Sequence, residues 1–172
     1  SWSPSFCRGT RNRTNVFQCQ HNFGYIVHGL WPNGKAQGNK TRSIRHHPRN
    51  CRNEQAMSID TIRKYFCLMP SEKLMQAEWE KHGTCFWTTP EAYFEQINYL
   101  RSKIRLPTNT HEILSNHSST KRERREGVVR SFLDNNPQIP ADSIEVSMIR
   151  KGRDLKEVAF CYDLAFNYTR CS

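Results

Sequence analysis

Glu78, Lys81 and His82 bring a carboxyl, an ammonium and an imidazole group within five positions of one another. These are the side chains from which proton transfer and charge stabilisation at a phosphate are built. If Leu74 to His82 is helical, Glu78 and His82 are one turn apart and Lys81 is three residues from Glu78, so all three project from one side. Pro70-Ser71-Glu72 supplies a start for that helix and Gly83 an end. His82 then sits in the last turn, where the macrodipole and Glu78 favour the protonated ring and Lys81 opposes it. The same spacing describes an ordinary i,i+4 surface ion pair, which is its commoner meaning. It also describes half of a metal site, but only His46, His47 and scattered acids offer further ligands, so metal ranks lowest.

A second histidine changes the balance. His28 lies in the apolar stretch GYIVHGLW, followed by Gly29 and close to Trp31. Alone it reads as a structural residue; with His82 it completes an acid–base pair. Two histidines suit the cleavage of RNA by its own 2′-hydroxyl. One imidazole removes the 2′-OH proton, the other protonates the departing 5′-oxygen, and a cation stabilises the five-coordinate phosphorane. The reaction requires no metal, no other cofactor and no protein nucleophile, and DNA cannot undergo it for lack of the 2′-OH.

These residues need elements to hold them. Strands are expected at Trp2 to Cys7 and at Tyr25 to Trp31, the second bounded by Gly24 and the Pro32-Asn33-Gly34 turn. Lys35 to Asn53 is polar, basic and loop-like. SIDTIRKYFCLM places Ile59, Ile62, Phe66 and Met69 at helical spacing. Thr89-Pro90-Glu91 opens a further helix, capped by Thr89 with Pro90 in its first turn, whose stripe Tyr93, Phe94, Ile97 and Leu100 reads as core. The charged stretch from Ser118 to Val129 reads as a helix start with a solvated face, and the helix docks through Val128, Val129, Phe132 and Leu133. SIEVSMIR and LKEVAFCYDLAF read as strands joined at Lys151-Gly152-Arg153. Strands, then helices, then strands indicate an α+β fold in a single domain over residues 1–172.

Composition bounds the partners. At 36% hydrophobic and 24% charged, the 172 residues belong to a globular chain, with no apolar run long enough to cross a bilayer. The opening SWSPSFC reads as the start of a mature or a trimmed chain, without a signal peptide. A net charge of +10 attracts RNA, DNA, acidic glycans or anionic membrane alike. Seven dispersed cysteines without a CxxC pair favour disulfides and an oxidising compartment, and four sequons at Asn12, Asn39, Asn116 and Asn167 agree with a secretory route. The alternative to an enzyme is a secreted basic protein that captures RNA or glycans and retains a vestigial nuclease apparatus.

HGLWPN at 28–33 and EWEKHGTC at 78–85 resemble the two signature segments of the ribonuclease T2 family, acid endoribonucleases of secretory and vacuolar compartments. The resemblance implies an α+β fold with a central antiparallel sheet packed against several helices. It implies cleavage of single-stranded RNA through a 2′,3′-cyclic phosphate to a 3′-phosphate, with low base specificity, by a metal-independent monomer that is secreted or kept in a vacuole, lysosome or periplasm. Carried over by position, His82 is the general base, His28 the general acid, and Glu78 and Lys81 orient and stabilise the phosphorane. Trp31 holds His28 and lines the base pocket, and Asn33 contacts the base. Trp79 is read as core, Gly83 as the end of the helix, and Glu80 is left to solvent. The resemblance further implies bridges Cys7–Cys19, Cys51–Cys85 and Cys161–Cys171, with Cys67 as a buried free thiol and a Cys19–Cys67 bridge as the main rival. This chain departs from the pattern at Ala77, where many members carry histidine, at Ser1, where many carry glutamine, and in its short length.

Overall fold

The computed structural model describes the backbone of Trp2–Arg8, Cys19, Tyr25–Pro32 and residues 50–171, and side chains at 19, 25–30 and 50–171. Expectations placed on Ser1, Asn12, Asn33, Asn39, His46 and His47, and on the side chains of Cys7 and Trp31, lie outside the described residues.

Four strands, β1 (Trp2–Arg8), β2 (Tyr25–Pro32), β3 (Ile144–Ile149) and β4 (Asp154–Phe160), form one antiparallel sheet in the order β2-β1-β4-β3. Between β2 and β3 the chain forms α1 (Ile59–Tyr65), α2 (Glu72–Lys81), α3 (Pro90–Ser102), α4 (Thr110–Ser115) and α5 (Lys121–Asn135). One core joins Val27, Leu30, Val158 and Phe160 of the sheet to Met75, Trp79, Tyr93, Phe94 and Phe132 of the helices. The architecture is α+β, as the element order indicates.

Helix starts follow local chemistry. Ser71 accepts from the Leu74 N–H at the start of α2, and Thr89 accepts from the Ala92 N–H with Pro90 behind it in α3. Thr120 and Glu123 form a reciprocal capping box on α5. The stripe Tyr93, Phe94, Ile97 and Leu100 is buried.

Three elements differ from expectation. Helix α1 stops at Tyr65 and turns its Thr61 and Tyr65 side inward, leaving Ile59 65% exposed, because hydroxyl contacts to α3 decide its rotation. Tyr65 donates to Glu95 and Thr61 to Glu91. The last strand ends at Phe160; the remainder folds back into a turn closed by a Tyr162–Tyr168 bridge. Within the charge run, Arg124 is buried rather than solvated, with its guanidinium donating to the carbonyls of Gly152, Asn116 and Ser119.

Strand β2 lies at one side of the sheet, and its outer edge is met by the segment after α1, where the Val27 N–H donates to the Leu68 carbonyl. That segment leads directly into α2, so the chain that carries Glu78 and His82 starts beside the strand that carries His28.

Candidate active site

His28 sits at a β-bulge. Ser5 pairs with Gly29 and Phe6 with Val27, so His28 has no opposite residue on β1. The extra residue changes which side chains reach the core: Tyr25 and Val27 are buried on odd positions and Leu30 on an even one, while His28 between them stays partly exposed. Strict alternation would send either Val27 or Leu30 out of the core; the bulge lets both in and re-aims the histidine.

The other half of the site is the end of α2. His82 is its C-cap and donates its N–H to the Glu78 carbonyl. Its ring lies 3.8 Å, Nε2 to Oε2, from the Glu78 carboxyl. The helix end is then tied from outside. Cys85 is bridged to Cys51, Asn50 donates its N–H to the Lys81 carbonyl, and Thr84 Oγ1 accepts from the Cys51 N–H while donating to the Glu80 carbonyl. Gly83 is needed for closeness rather than for a special backbone angle. A Cβ there would lie 2.3 Å from the Trp79 ring and 2.9 Å from that of Tyr93.

Tyr93 connects the two halves. Its hydroxyl donates to the Leu30 carbonyl at 2.8 Å and accepts from the Leu30 N–H at 3.3 Å, two residues beyond His28. The other end of the same ring packs on Gly83, next to His82, and its face lies 6.0 Å from the Trp79 ring, next to Glu78. One phenol therefore spans the gap between the histidine strand and the histidine helix. The sequence marked Tyr93 only as core; the available signal was a tyrosine in a stripe where phenylalanine would serve, since a buried hydroxyl needs partners.

Electrostatics reverse one expectation. Glu78 is 8% exposed, and its burial pushes the carboxyl up to about 7; Lys81 acts against this and Glu157 on β4 adds to it. Below that value the side chain is an uncharged acid, so its contact with His82, longer than a hydrogen bond, is not an ion pair there. Among the described residues no group donates to Glu78 Oε2. Burial also raises the Tyr93 phenol well above its usual value, reinforced by Glu78, so it remains a neutral donor. Lys81 is exposed.

Glu80 is not left to solvent. It accepts from Gln76 Nε2 at 2.9 Å, and Gln76 also donates to the Gln55 carbonyl and accepts from the Met57 N–H. The pair fastens the segment before α1 to the outer side of α2. Trp79 is buried as expected, with Arg52 over its ring.

Disulfides join Cys51 to Cys85 and Cys161 to Cys171. The expected Cys7–Cys19 pairing is replaced by Cys19–Cys67, so Cys67 is not a free thiol. It lies at an exposed position past the end of α1, where a partner can reach it, rather than inside the helix. Trp31 has its backbone place opposite Ser3. Among the described residues no group of three or more His, Cys, Asp or Glu could hold a metal ion.

Residues 1–171 match the ribonuclease T2 family, and the chain belongs to that family. It is 30% identical to a probable ribonuclease of Haemophilus influenzae over 99% of this chain and 58% of that protein. It is 31% identical to a ribonuclease of Aeromonas hydrophila, over 60% of this chain and 42% of the other. The chain thus spans about half the length of the curated relatives it matches. Its fold is shared with RNase NT, solved in complex with 5′-AMP, at a TM-score of 0.56 and 21% identity, covering 99% of this chain and 89% of that one.

Proposed function

We propose that this protein is an endoribonuclease that cleaves single-stranded RNA by attack of the 2′-hydroxyl, without a metal and with low base specificity. The observation that carries this reading is the Tyr93 span. The segments that carry the two histidines, far apart in sequence, meet opposite ends of one buried ring, Leu30 at its hydroxyl and Gly83 at its other end.

In this mechanism His82 removes the 2′-OH proton as the 2′-oxygen attacks phosphorus. The P–O5′ bond breaks, and His28 supplies the proton that the 5′-oxygen takes away. Lys81 lies three residues from Glu78 on the same helix, where its ammonium stabilises charge on the non-bridging oxygens. Glu78, uncharged below about 7, donates a hydrogen bond to one of those oxygens instead of repelling it. Water then opens the 2′,3′-cyclic phosphate with the histidine roles exchanged, leaving a 3′-phosphate. Trp31 and Asn33 are assigned to the base.

Three disulfides among the described residues fit a secreted protein or another oxidising compartment, and no described helix is long and apolar enough to cross a membrane. Asn116 and Asn167 are both exposed, which suits glycan attachment.

Incubation with defined dinucleoside phosphates, with and without chelator, tests the proposal. Expected are 2′,3′-cyclic ends that convert to 3′-phosphates, unaffected by chelator. Loss of cleavage on chelation, or products with 5′-phosphate ends, would overturn the mechanism.

A further inference from the structure

Arg150, Lys151 and Gly152, in the turn between β3 and β4, occupy the left-handed backbone region in succession, at φ 53°, 56° and 81°. Glycine adopts it freely; two successive non-glycine residues there are strained. The turn exposes Arg150, Lys151 and Arg153. Beneath it lies the buried Arg124, whose Nε donates to the Gly152 carbonyl at 2.6 Å and whose Nη1 donates to the carbonyls of Ser119 and Asn116. The start of α5 is pressed against the same turn, since a Cβ on Gly152 would come within 2.9 Å of the Lys121 Cα. Exposed Lys121 thereby adjoins the turn, and Arg122 and Arg125 are exposed further along the start of the same helix. Glu126 answers Arg122 at 2.9 Å and Asp154 answers Arg150 at 3.9 Å. Among the described residues, no carboxylate lies within ion-pair distance of Lys121, Arg125, Lys151 or Arg153. Folding therefore gathers like charges on a braced, strained backbone and relieves only part of their repulsion.

We propose that this turn and the start of α5 form a second RNA-contacting surface, which grips the phosphodiester backbone of a single-stranded substrate outside the cleavage site. The inference rests on the ribonuclease reading. Ser5 pairs with both Gly29 and Ala159, which places Ala159 level with the bulge on β2. Asp154 is then about 16 Å further along the sheet and about 10 Å across it, from strand rise and spacing. A dinucleotide does not bridge that separation, whereas single-strand binding surfaces cover roughly 4–16 nucleotides. RNA fits better than a membrane. Ile149, 42% exposed, is the one exposed large apolar side chain adjoining the turn among the described residues, and surface attachment to lipid needs an apolar face.

The test compares wild type with Lys151→Asn/Arg153→Gln, asparagine being chosen because it tolerates the left-handed region. Binding is read by anisotropy with a 2′-O-methyl 20-mer, which cannot be cleaved, across a salt series. The slope of log affinity on log salt should flatten by about 1.4, and affinity at 0.1 M salt should fall roughly 10- to 30-fold from the counterion term alone. Cleavage of a dinucleoside phosphate should keep its kcat/KM. Unchanged 20-mer affinity and slope would overturn the proposal, and if binding to phosphatidylserine vesicles alone were lost, the turn would belong to a membrane. Should the double variant fold poorly, Arg153→Gln by itself should flatten the slope by about 0.7. If wild type binds the 20-mer through this turn but cleaves no dinucleoside, the enzymatic reading fails while the surface stands.

Discussion

The two histidine-bearing segments are held in opposite ways. The end of α2 is fastened by a disulfide, two hydrogen bonds from residues 50 and 51, one within the segment from Thr84 to Glu80, and a glycine that lets two rings close over it. The His28 segment has no such covalent tie among the described residues; its bulged ladder with β1, an edge hydrogen bond at Val27 and the hydroxyls of Tyr93 and Tyr25, the latter to Thr110, hold it. The two segments thus combine one fixed half with one half positioned by register, and a single buried ring lies between them.

Substitution of either histidine should break both halves equally. His28→Ala and His82→Ala should each lower kcat by about 10²–10⁴-fold while thermal unfolding stays near wild type. Cleavage that persists in both variants would remove the acid–base pair from the mechanism.

Glu78 separates chemistry from stability. Its carboxyl titrates near 4.5 when the chain is unfolded and at about 7 when folded. Between those values the unfolded chain has released its proton and the folded protein has not, so stability falls as pH rises through the window and levels off above it. The span is on the order of 3 kcal/mol. Glu78→Gln should flatten the dependence of Tm on pH across that window. The alkaline limb of kcat should also lose the titration near 7, which a pH–rate profile of the variant reads directly.

The tightness of the fixed half is probed by Gly83→Ala. The new methyl would meet Trp79 at 2.3 Å, so about 1–3 kcal/mol of stability should be lost, measured by denaturant unfolding. The register half responds to Tyr93→Phe. Loss of the bonds to Leu30 should cost about 1–2 kcal/mol and lower kcat more than it raises KM. If Tyr93→Phe left kcat intact, the ring would be core and nothing more.

The sequence made the fixed half readable because its devices are local. A cap at Ser71, an i,i+4 pair and a terminal glycine all lie within one helical segment. The helix start at Thr89 was readable for the same reason. The bulge was not, because register is a relation between β1 and β2 and leaves no mark on β2 alone. The Cys19–Cys67 pairing hid behind a family pattern that favoured the nearer cysteine, and Ile59 behind a periodicity that the contacts of Thr61 and Tyr65 overrode. Glu80 looked like a solvent residue because its partner, Gln76, is itself an uninformative polar residue until Gln55 and Met57 arrive beside it.

The strand order carries a consequence in time. β1 lies in the middle of the sheet, yet Ser5 pairs with Ala159, near the opposite end of the sequence. At about 5–20 residues per second of synthesis, β1 waits roughly 8–30 s before its second neighbour exists. During that interval β1 has the His28 strand on one side only, and its other edge, central in the finished sheet, is open to any other extended chain. Crowding, slow translation or a delayed final hairpin should therefore reduce the yield of folded protein.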